Sequence, residues 1–458
     1  MTFSRPAPLI IAAPASGCGK TTVTLGLLAA LRRRGLSVAP FKVGPDFIDP
    51  GHHAAVCGRP SRNLDGWMCG EAFVREAFDR GRAEADLAVI EGVMGLFDGA
   101  AGDSDEGSTA EIASCLGGRI LLVVDARSQA RSAAALLKGF CTFNPKLEFA
   151  GALFNRVASD RHEQLLREAV ASVPGLPPVL GCLRREEELT LQERHLGLVT
   201  AGETTLDESF IARLADWMER HVDIERLLAG RRGQVLTFDK EALVKCQDLT
   251  PRVRIAVARD EAFCFCYREN LELLEAAGAE IVPFSPLADA TLPERIDGIY
   301  LPGGYPELHA GRLAKNGTLL RDLREAADAG VPIYAECGGF MLLAGAIDDM
   351  AMAGIFPGHA RMLKKRKALG YREVTFTADN PLGPQGTTAR GHEFHYSEMD
   401  LPGTVQTCYG LSRRGSEKLG VEGYRTGNVL GSYIHLHFGS NPQLATNFVA
   451  FCQKRSLL

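Results

Sequence analysis

Two short segments of this 458-residue chain carry residue types that could do chemistry. In the first, residues 13–21, a lysine and a threonine follow two glycines. Glycines let backbone N–H groups approach a phosphate closely, Lys20 can meet phosphate charge, and Thr21 can ligate magnesium. The second segment contains Cys337, which directly precedes two glycines, and His435 follows far downstream. This pair predicts a thiol nucleophile and its general base.

The glycine-rich run departs from the strict phosphate-loop spacing, because Pro14 stands where that pattern requires glycine. Its setting is nevertheless typical of a nucleotide site. Residues 9–13 predict a buried strand before the loop, and residues 20–34 predict a helix whose N-terminus favours anions. A strand-to-helix turn that binds nothing is the structural alternative. The ATP-binding residues that we predict are Ser16, Gly17, Cys18, Gly19, Lys20, Thr21 and Thr22.

Acidic residues follow two of the predicted strands. Asp46 and Glu91 each lie near the C-terminal end of one, and open parallel sheets bind their ligands at that edge. We expect Thr21, Asp46 and Glu91 to converge on one magnesium ion, with ATP oxygens completing its shell. Asp49 and Asp98 lie farther along the same loops and are better placed for substrate. The structural alternative for each is a loop carboxylate that caps a turn.

Cys337 follows the apolar run 331–334 and precedes a helical pattern. This order of strand, turn and helix is typical of a nucleophile elbow, in which the helix N-terminus favours the thiolate. We predict that the fold brings His435 near as the base. Gly303 and Gly304 follow another predicted strand and offer backbone N–H groups for an oxyanion hole. An inert buried cysteine is the structural alternative.

A phosphate loop and a cysteine–histidine pair on one chain indicate a division of labour. One half would release a reactive small molecule, and the other would use ATP to capture it. Glutamine-dependent amidation has this form, because a thiol can release ammonia from the glutamine side chain while ATP activates an acceptor carboxylate.

Two sets of structural elements must position these residues. In both halves, short apolar runs alternate with helical patterns, which predicts parallel sheets covered by helices on both faces. The predicted strands occupy residues 9–13, 38–42, 87–91, 120–124, 151–154, 253–258, 280–283, 298–301 and 331–334. The alternation decays between residues 226 and 251. We therefore predict two α/β domains, a doubly wound phosphate-loop domain at 1–230 and a second domain at 251–458, with a linker at 231–250.

The composition excludes several classes of protein. With 46% hydrophobic and 23% charged residues, the chain has the balance of a soluble globular protein. A formal net charge of −5 argues against a general nucleic-acid surface, and the basic run 364–367 indicates a solvated loop or an anion contact. No apolar run is long enough for a membrane helix, and no signal-peptide pattern is seen. The 12 cysteines lack paired C-x-x-C spacing, so we expect reduced thiols and a cytoplasmic protein.

Taken together, the motifs resemble those of the cobyrinic acid a,c-diamide synthase family of corrinoid biosynthesis, from end to end of the chain. The segments that carry the resemblance are residues 16–22, 42–50, 63–65, 91–99, 301–307, 336–339, 391–397 and 432–438. The N-terminal half is similar to dethiobiotin synthetase in its loop spacing, which accounts for Pro14. The C-terminal half resembles the triad class (class I) of glutamine amidotransferases, which implies an amidotransferase-like α/β fold.

The resemblance also implies roles for individual residues. Cys337 would be the glutaminase nucleophile, activated by His435, while Lys42, Asp49 and Asp98 would lie near the carboxylate being activated. The remaining roles implied are Lys20, Thr21 and Asn155 on ATP, with Asn155 near adenine, and Asp46 and Glu91 on magnesium. Amidotransferases of this class have a glutamate two residues after the histidine. This chain has His437 there, so no third triad member is assigned, and the segment 391–397 is equally consistent with a structural turn or a corrinoid contact.

The implied reaction is the amidation of the a and c acetate carboxylates of cobyrinic acid through acyl phosphates, with ATP and L-glutamine as co-substrates. The alternatives are the same reaction on hydrogenobyrinic acid or nickel sirohydrochlorin, and amidation of the cobyric acid synthase type. A partition-type ATPase switch is the alternative from another class, but it predicts no second active site. The expected partners are small molecules, neither nucleic acid nor membrane, and a homodimer is an open alternative for assembly.

Overall fold

The computed structural model describes residues 6–189, 193–194, 197–198, 206–229, 252–413 and 417–456. The chain divides into two units, Met1–Val244 and Lys245–Leu458. The predicted linker 231–250 lies outside the described residues, so the predicted limits 1–230 and 251–458 stay predictions. In the described ranges, no helix is long and apolar enough to span a membrane.

The first unit is built on a seven-stranded sheet in the order β3-β2-β4-β1-β5-β6-β7, with every neighbouring pair parallel. Its strands are β1 Leu9–Ala12, β2 Val38–Val43, β3 Arg62–Leu64, β4 Leu87–Glu91, β5 Arg119–Asp125, β6 Glu148–Val157 and β7 Val179–Arg184, and a separate antiparallel pair is β8 Glu193–Arg194 and β9 Gly197–Leu198. Its helices are α1 Lys20–Arg33, α2 Ile48–Cys57, α3 Gly66–Gly81, α4 Thr109–Leu116, α5 Ser132–Phe143, α6 Asp160–Ala171, α7 Glu208–His221 and α8 Ile224–Ala229.

Helices cover both faces of this sheet. Successive side chains of a strand point to opposite faces. Leu9 and Ile11 of β1 accordingly belong to one apolar core, while Ile10 and Ala12 belong to the other. Because both faces are buried, the strands consist of continuous apolar runs rather than alternating ones. The predicted doubly wound α/β fold is confirmed.

The strand order places β1 between β4 and β5, where the direction of winding reverses. Open parallel sheets bind ligands in the crevice beyond the carboxyl ends of the strands at such a point. The glycine-rich loop follows β1, and Glu91 ends β4, so the fold itself brings these two predicted elements to the same crevice.

The second unit is built on a ten-stranded mixed sheet in the order β11-β10-β12-β13-β22-β21-β20-β17-β18-β23. The strands of this sheet are β10 Val253–Ala258, β11 Ala279–Phe284, β12 Gly298–Leu301, β13 Ile333–Glu336, β17 Ala368–Phe376, β18 Thr388–His395, β20 Gln406–Arg413, β21 Glu417–Thr426, β22 Val429–Ser432 and β23 His435–Leu436. A separate four-stranded sheet contains β14 Ala344–Ile347, β15 Met350–Ala351, β16 Phe356–Met362 and β19 Ser397–Asp400. The helices are α9 Arg268–Ala276, α10 Ala310–Lys315, α11 Gly317–Asp328, α12 Gly338–Leu343 and α13 Gln443–Ser456.

The parallel half of this sheet, from β11 to β22, contains the four strands that were predicted in this unit. The antiparallel half was not predicted. Strand β22 joins the halves, since it pairs in parallel with β13 and antiparallel with β21. Glu336, at the end of β13, is the register partner of Ser432 on β22, so the residue before Cys337 lies beside the segment that leads to His435.

Candidate active sites

The first candidate site is a cavity of about 550 Å³ at the carboxyl edge of the seven-stranded sheet. Predicted residues that line it are Ser16, Gly17, Gly19, Lys20, Thr21, Thr22, Lys42, Asp46, Asp49, Glu91 and Asn155. Two predicted residues are not part of the lining. Cys18 is buried beneath the loop, and Asp98 is exposed, where its carboxylate accepts a hydrogen bond from the N–H of Gly95 at 3.0 Å. The contact of Asp98 is the kind expected of a turn-capping carboxylate.

The glycine-rich loop is held by side chains from the end of β6. Asn155 Nδ2 donates to the carbonyl of Cys18 at 2.9 Å, and Arg156 Nη1 donates to the carbonyl of Gly17 at 2.8 Å. Gly19 has φ +93°, and a Cβ there would lie 2.3 Å from Asn155 Nδ2. The loop therefore requires glycine at this position for both its backbone conformation and its packing.

The carboxylate of Glu91 is the centre of a buried polar network. It accepts hydrogen bonds from Thr21 Oγ1 at 2.8 Å and Lys42 Nζ at 3.0 Å, and its second oxygen lies 2.7 Å from His53 Nε2. Burial alone would raise the pKa of Glu91, but Lys42 and then His53 lower it below its ordinary value. Glu91 is therefore held as an anion in a buried setting.

His53 was missed by the sequence analysis. It lies on α2, four residues after Asp49, so both side chains occupy one face of that helix. Its Nδ1 lies 3.1 Å from Ser61 Oγ, which fixes the ring while Nε2 faces Glu91. The i, i+4 spacing from an acidic residue was the available signal, although many surface helices share it.

Two carboxylates of this cavity, those of Asp49 and Glu91, share one lysine, Lys42. Lys42 Nζ lies 2.6 Å from Asp49 and 3.0 Å from Glu91. Burial, followed by the charges of Asp46 and Glu91, raises the pKa of Asp49 well above its ordinary value. Asp46 caps the start of α2, where its Oδ1 accepts hydrogen bonds from the N–H groups of Ile48 and Asp49.

This donor set fits a magnesium ion that ATP helps to hold. In the described ranges, no group of three or more His, Cys, Asp or Glu side chains could hold a metal ion by itself. Mg²⁺ is normally bound through one or two carboxylates together with phosphate oxygens and waters. The contact between Thr21 and Glu91 and the surplus of negative charge near Asp49 match that requirement.

Basic side chains that were not predicted line another part of the same cavity. They are Arg127, Arg156, Arg184 and Arg185. Arg156 is anchored by Asp125 at 2.6 Å and has φ +60°, a conformation that non-glycine residues seldom adopt. These arginines lie at or just beyond the ends of β5, β6 and β7, so they meet only because those strands are neighbours. They make one part of the cavity suitable for anionic groups.

The second candidate site is the turn at Cys337, between β13 and α12. Cys337 has φ +45° and ψ −103° and is 6% exposed. The glycines after it are required by packing, because a Cβ at Gly339 would lie 2.1 Å from the carbonyl oxygen of Leu301. A Cβ at Gly338 would lie 2.9 Å from the backbone nitrogen of Gly304. The segment of Gly303 and Gly304 is thus packed against the turn.

The same segment also contacts His435. A Cβ at Gly303 would lie 2.2 Å from Cε1 of His435, so only glycine fits there. The fold therefore brings the predicted nucleophile turn, the predicted base and the predicted oxyanion segment together. One detail differs from the prediction, because the N–H of Gly303 already donates to the carbonyl of Phe265 at 3.2 Å. We therefore take the N–H of Gly304 as the candidate oxyanion donor.

Burial keeps this pair neutral. It raises the pKa of the Cys337 thiol, and the charge of Glu307 raises it further, against a hydrogen bond from the N–H of Gly338. Burial also lowers the pKa of His435 to about 3. We predicted that the helix N-terminus would favour the thiolate, but burial acts in the opposite direction and the pKa of Cys337 is raised rather than lowered. A neutral imidazole can still accept the thiol proton.

Two buried carboxylates hold the segment that contains His435. Glu422 accepts hydrogen bonds from Ser432 Oγ at 2.5 Å and the N–H of Tyr433 at 2.8 Å. Glu336 accepts one from the N–H of Leu436 at 3.0 Å. Burial raises the pKa of each carboxyl to about 7. Neither was predicted, although Glu336 directly precedes Cys337.

The segment 391–397 lies beside His435. Residues 391–395 belong to β18, Tyr396 forms a bend and Ser397 begins β19, and β18 pairs with β23 so that His392 and His435 are register partners. Their rings stack at 4.9 Å, and His392 Nδ1 lies 2.8 Å from the hydroxyl of Tyr267. Glu393 contacts Arg372 at 2.6 Å and His395 at 2.8 Å. A turn in this segment is thus limited to Tyr396, and a corrinoid contact stays a prediction.

Comparisons with known proteins divide the chain in the same way. Residues 9–199 match the CobQ/CobB/MinD/ParA nucleotide-binding domain, and residues 254–443 match the CobB/CobQ-like glutamine amidotransferase domain. The chain is 48% identical to the cobyrinate a,c-diamide synthase of Syntrophotalea carbinolica, with 98% of this chain and 99% of the relative covered. It is 42% identical to the enzyme of that name from Dehalococcoides mccartyi, with 98% of each covered. It is also 42% identical to the hydrogenobyrinate a,c-diamide synthase of Streptomyces coelicolor, with 97% of each covered.

Proposed function

The chain belongs to the cobyrinate a,c-diamide synthase family, and on that premise we propose that it amidates the a and c acetate carboxylates of cobyrinic acid. It is a glutamine-dependent ligase of cobalamin biosynthesis with ATP as co-substrate. The observation that carries the proposal is the presence of two sites on one chain. One joins the phosphate loop to the buried cluster of Lys42 and Glu91, and the other joins Cys337 to His435.

In the second unit, Cys337 supplies the nucleophile. Its sulfur attacks the side-chain carbonyl carbon of glutamine while His435 accepts the thiol proton. The tetrahedral oxyanion lies near the N–H of Gly304. The C–N bond then breaks as His435 returns the proton to the leaving nitrogen, which gives ammonia and a thioester. Water hydrolyses the thioester to glutamate and regenerates the thiol.

In the first unit, the acceptor carboxylate attacks the γ-phosphorus of ATP, and ADP leaves. Ammonia then attacks the carbonyl carbon of the acyl phosphate, so that an amide forms and phosphate departs. Lys20 meets phosphate charge, while Lys42 and Asp49 lie where the incoming carboxylate would be held. Thr21, Asp46 and Glu91 would hold Mg²⁺, which offsets the negative charge of the phosphates.

Two further roles rest on the family resemblance. Asn155 lines the cavity near the loop and would lie beside the adenine ring. Asp98 lies outside the lining on the Gly95 turn, and we place it at the approach of the macrocycle, where it would help to present the two carboxylates in turn. A homodimer and a cytoplasmic location stay predictions from the sequence.

The choice of macrocycle is the finer part of the proposal. The relative from Streptomyces coelicolor is named for hydrogenobyrinate, which keeps that metal-free macrocycle as the second candidate. The test is to incubate the protein with ATP, glutamine and each macrocycle in turn and to weigh the products. Two successive mass changes for conversion of a carboxylate to an amide on cobyrinic acid are expected. The same changes on hydrogenobyrinic acid alone would reassign the substrate.

A further inference from the structure

The sequence has no acidic residue two positions after His435, where glutamine amidotransferases of this class have a glutamate. A histidine that accepts a thiol proton is usually held by an acidic side chain at its other ring nitrogen. His437 occupies the sequence position of that acid, and it accepts a hydrogen bond from the N–H of Gly439 at Nδ1, 3.0 Å away. The ring of His437 packs against Tyr267, with centroids 4.4 Å apart. An imidazole cannot provide the negative charge.

Glu336 provides a carboxylate from a different part of the chain. Its Oε2 lies 3.9 Å from Nδ1 of His435, and the two side chains are 1% and 2% exposed. Its Oε1 accepts a hydrogen bond from the N–H of Leu436, so the same side chain also holds the backbone next to His435. Because Glu336 precedes Cys337 in the chain, it is fixed to both partners of the proposed proton transfer.

Two tyrosines fix the orientation of this carboxylate. The hydroxyl of Tyr300 donates to Oε2 at 2.9 Å, and that of Tyr334 donates to Oε1 at 2.5 Å. The two rings stack with centroids 5.3 Å apart. Burial raises the pKa of both hydroxyls well above the ordinary value, so they remain donors. Both carboxylate oxygens therefore have fixed hydrogen-bond donors.

We propose that Glu336 is the positioning carboxylate of the glutaminase site and acts through His435 in place of the absent triad glutamate. The inference rests on the proposed function of Cys337 and His435. When His435 takes up the thiol proton, the imidazolium and the ionised carboxylate attract each other at 3.9 Å in a buried setting. At this distance the interaction is one of charge rather than a hydrogen bond.

Glu422 offers a matched control. It is also a buried glutamate with a pKa raised to about 7, and it also holds the segment that leads to His435. Its contacts, however, are with Ser432, Tyr433 and the N–H of Gly423. Glu336→Gln and Glu422→Gln therefore remove equivalent buried charges, and only one of these charges faces the imidazole.

The experiment measures kcat and KM for glutamine hydrolysis, together with the rate at which iodoacetamide alkylates Cys337 at one fixed pH. Glu336→Gln is expected to lower kcat about 100-fold with KM changed less than about threefold, and to slow alkylation about tenfold. Glu336→Asp, which keeps the charge, should recover part of the loss. Glu422→Gln should keep kcat within about twofold of the wild type.

Equal losses of kcat in Glu336→Gln and Glu422→Gln, or an effect on KM alone, would overturn the inference. If Glu336→Gln does not fold, Tyr334→Phe decides the question. Loss of its hydroxyl removes a donor to the ionised carboxylate, and kcat should fall about fivefold, whereas an unchanged kcat would contradict the proposal. A wild-type protein that hydrolyses no glutamine would refute the proposed function itself, which is a distinguishable outcome.

Discussion

Each candidate site contains a buried glutamate, but the pKa of the carboxyl is shifted in opposite directions in the two sites. In the first unit, Lys42 and His53 surround Glu91 and keep its pKa below the ordinary value. In the second unit, the donors to Glu336 are two tyrosine hydroxyls and a backbone N–H, and burial raises its pKa to about 7. The first carboxylate is an anion before any substrate arrives, whereas the second is poised between its two forms.

The difference matches the chemistry proposed for each site. A phosphoryl-transfer site must meet charges that its substrates already have, so its lysines and carboxylates are in place beforehand. A thiol site must create charge during the reaction. Burial holds Cys337 as a thiol and His435 as a neutral base, so the proposed reaction would transfer a proton between them when glutamine binds. The comparison predicts that the two sites can be disabled separately.

The largest effect is expected from Cys337→Ala. It should lower glutamine-dependent synthesis more than about 1000-fold, because the thioester cannot form, and leave synthesis from ammonium salts at raised pH near the wild-type rate. Product formation with each nitrogen source measures both. Cys408→Ala, which removes a buried thiol from the same sheet, serves as the control. Loss of both activities in folded Cys337→Ala would show that the sites are not separable.

Glu91→Gln should impair synthesis and leave glutamine hydrolysis intact, which is the reverse of the effect expected from Cys337→Ala. We expect synthesis from either nitrogen source to fall about 100-fold or more, because Lys42, His53 and Thr21 lose their shared anion and the proposed magnesium site loses a ligand. Glutamine hydrolysis by the same variant should be largely intact, which makes it an internal control for folding. Near-normal synthesis at low magnesium concentration would exclude Glu91 from the metal site.

Gly303→Ala tests the packing of the second site. The added methyl group would overlap Cε1 of His435, and we expect glutamine hydrolysis to fall about 100-fold while ammonia-dependent synthesis continues. Gly311→Ala, where a Cβ meets nothing within 4 Å, is the matched control. Equal activity of the two variants would mean that His435 can move away from Gly303 without cost.

Asp98→Asn is expected to change the products more than the rate. If Asp98 helps to present the carboxylates in turn, the ratio of monoamide to diamide during a time course should change about threefold or more. Mass analysis of early samples measures this ratio. Equal slowing of both amidations would assign Asp98 to the Gly95 turn alone.

Glu422→Gln gives the smallest effect on activity and a clear effect on stability. The folded-state pKa of Glu422 is raised from 4.5 to about 7, so its contribution to stability is complete below pH 4.5 and is lost as the pH rises through about 7. Between about pH 5.5 and pH 8, the wild type should lose about 2 kcal/mol of local unfolding free energy relative to the variant. Hydrogen exchange of β21 and β22 amides measures this loss. The lowered pKa values of His435 and His437 act in the opposite direction, but they are common to both proteins.

A difference between the two proteins that does not vary with pH would contradict the shift assigned to Glu422. It would also weaken the contrast between the two sites, because the same burial argument applies to Glu336.

The sequence predicted those parts of each site that are built from contiguous residues. The nine predicted strands are present, although the last begins at Ile333 rather than at residue 331. The phosphate loop and the Cys337 turn each follow one of these strands, so a strand and its next few residues were enough to predict them. The resemblance to the family is confirmed by relatives that match almost the whole chain.

The missed parts depend on which strands become neighbours. The sequence analysis assigned no role to His53, the arginines or Glu336, because their contacts arise from the strand order and from the pairing of β13 with β22. The antiparallel half of the second sheet was missed because its strands are mostly half-buried, with charged residues and glycines among the apolar ones. In β17, for example, only Arg372, Val374 and Phe376 are buried.

The bonds from Asn155 and Arg156 to the phosphate loop have a consequence for nucleotide affinity. Fixing the backbone of a mobile residue costs about 1–2 kcal/mol of conformational entropy. Because β6 side chains already hold the carbonyls of Gly17 and Cys18, that ordering is complete when the protein folds rather than when ATP arrives. The loop is in this sense preorganised, and part of the affinity for ATP resides in β6, which is two strands away from β1 in the sheet.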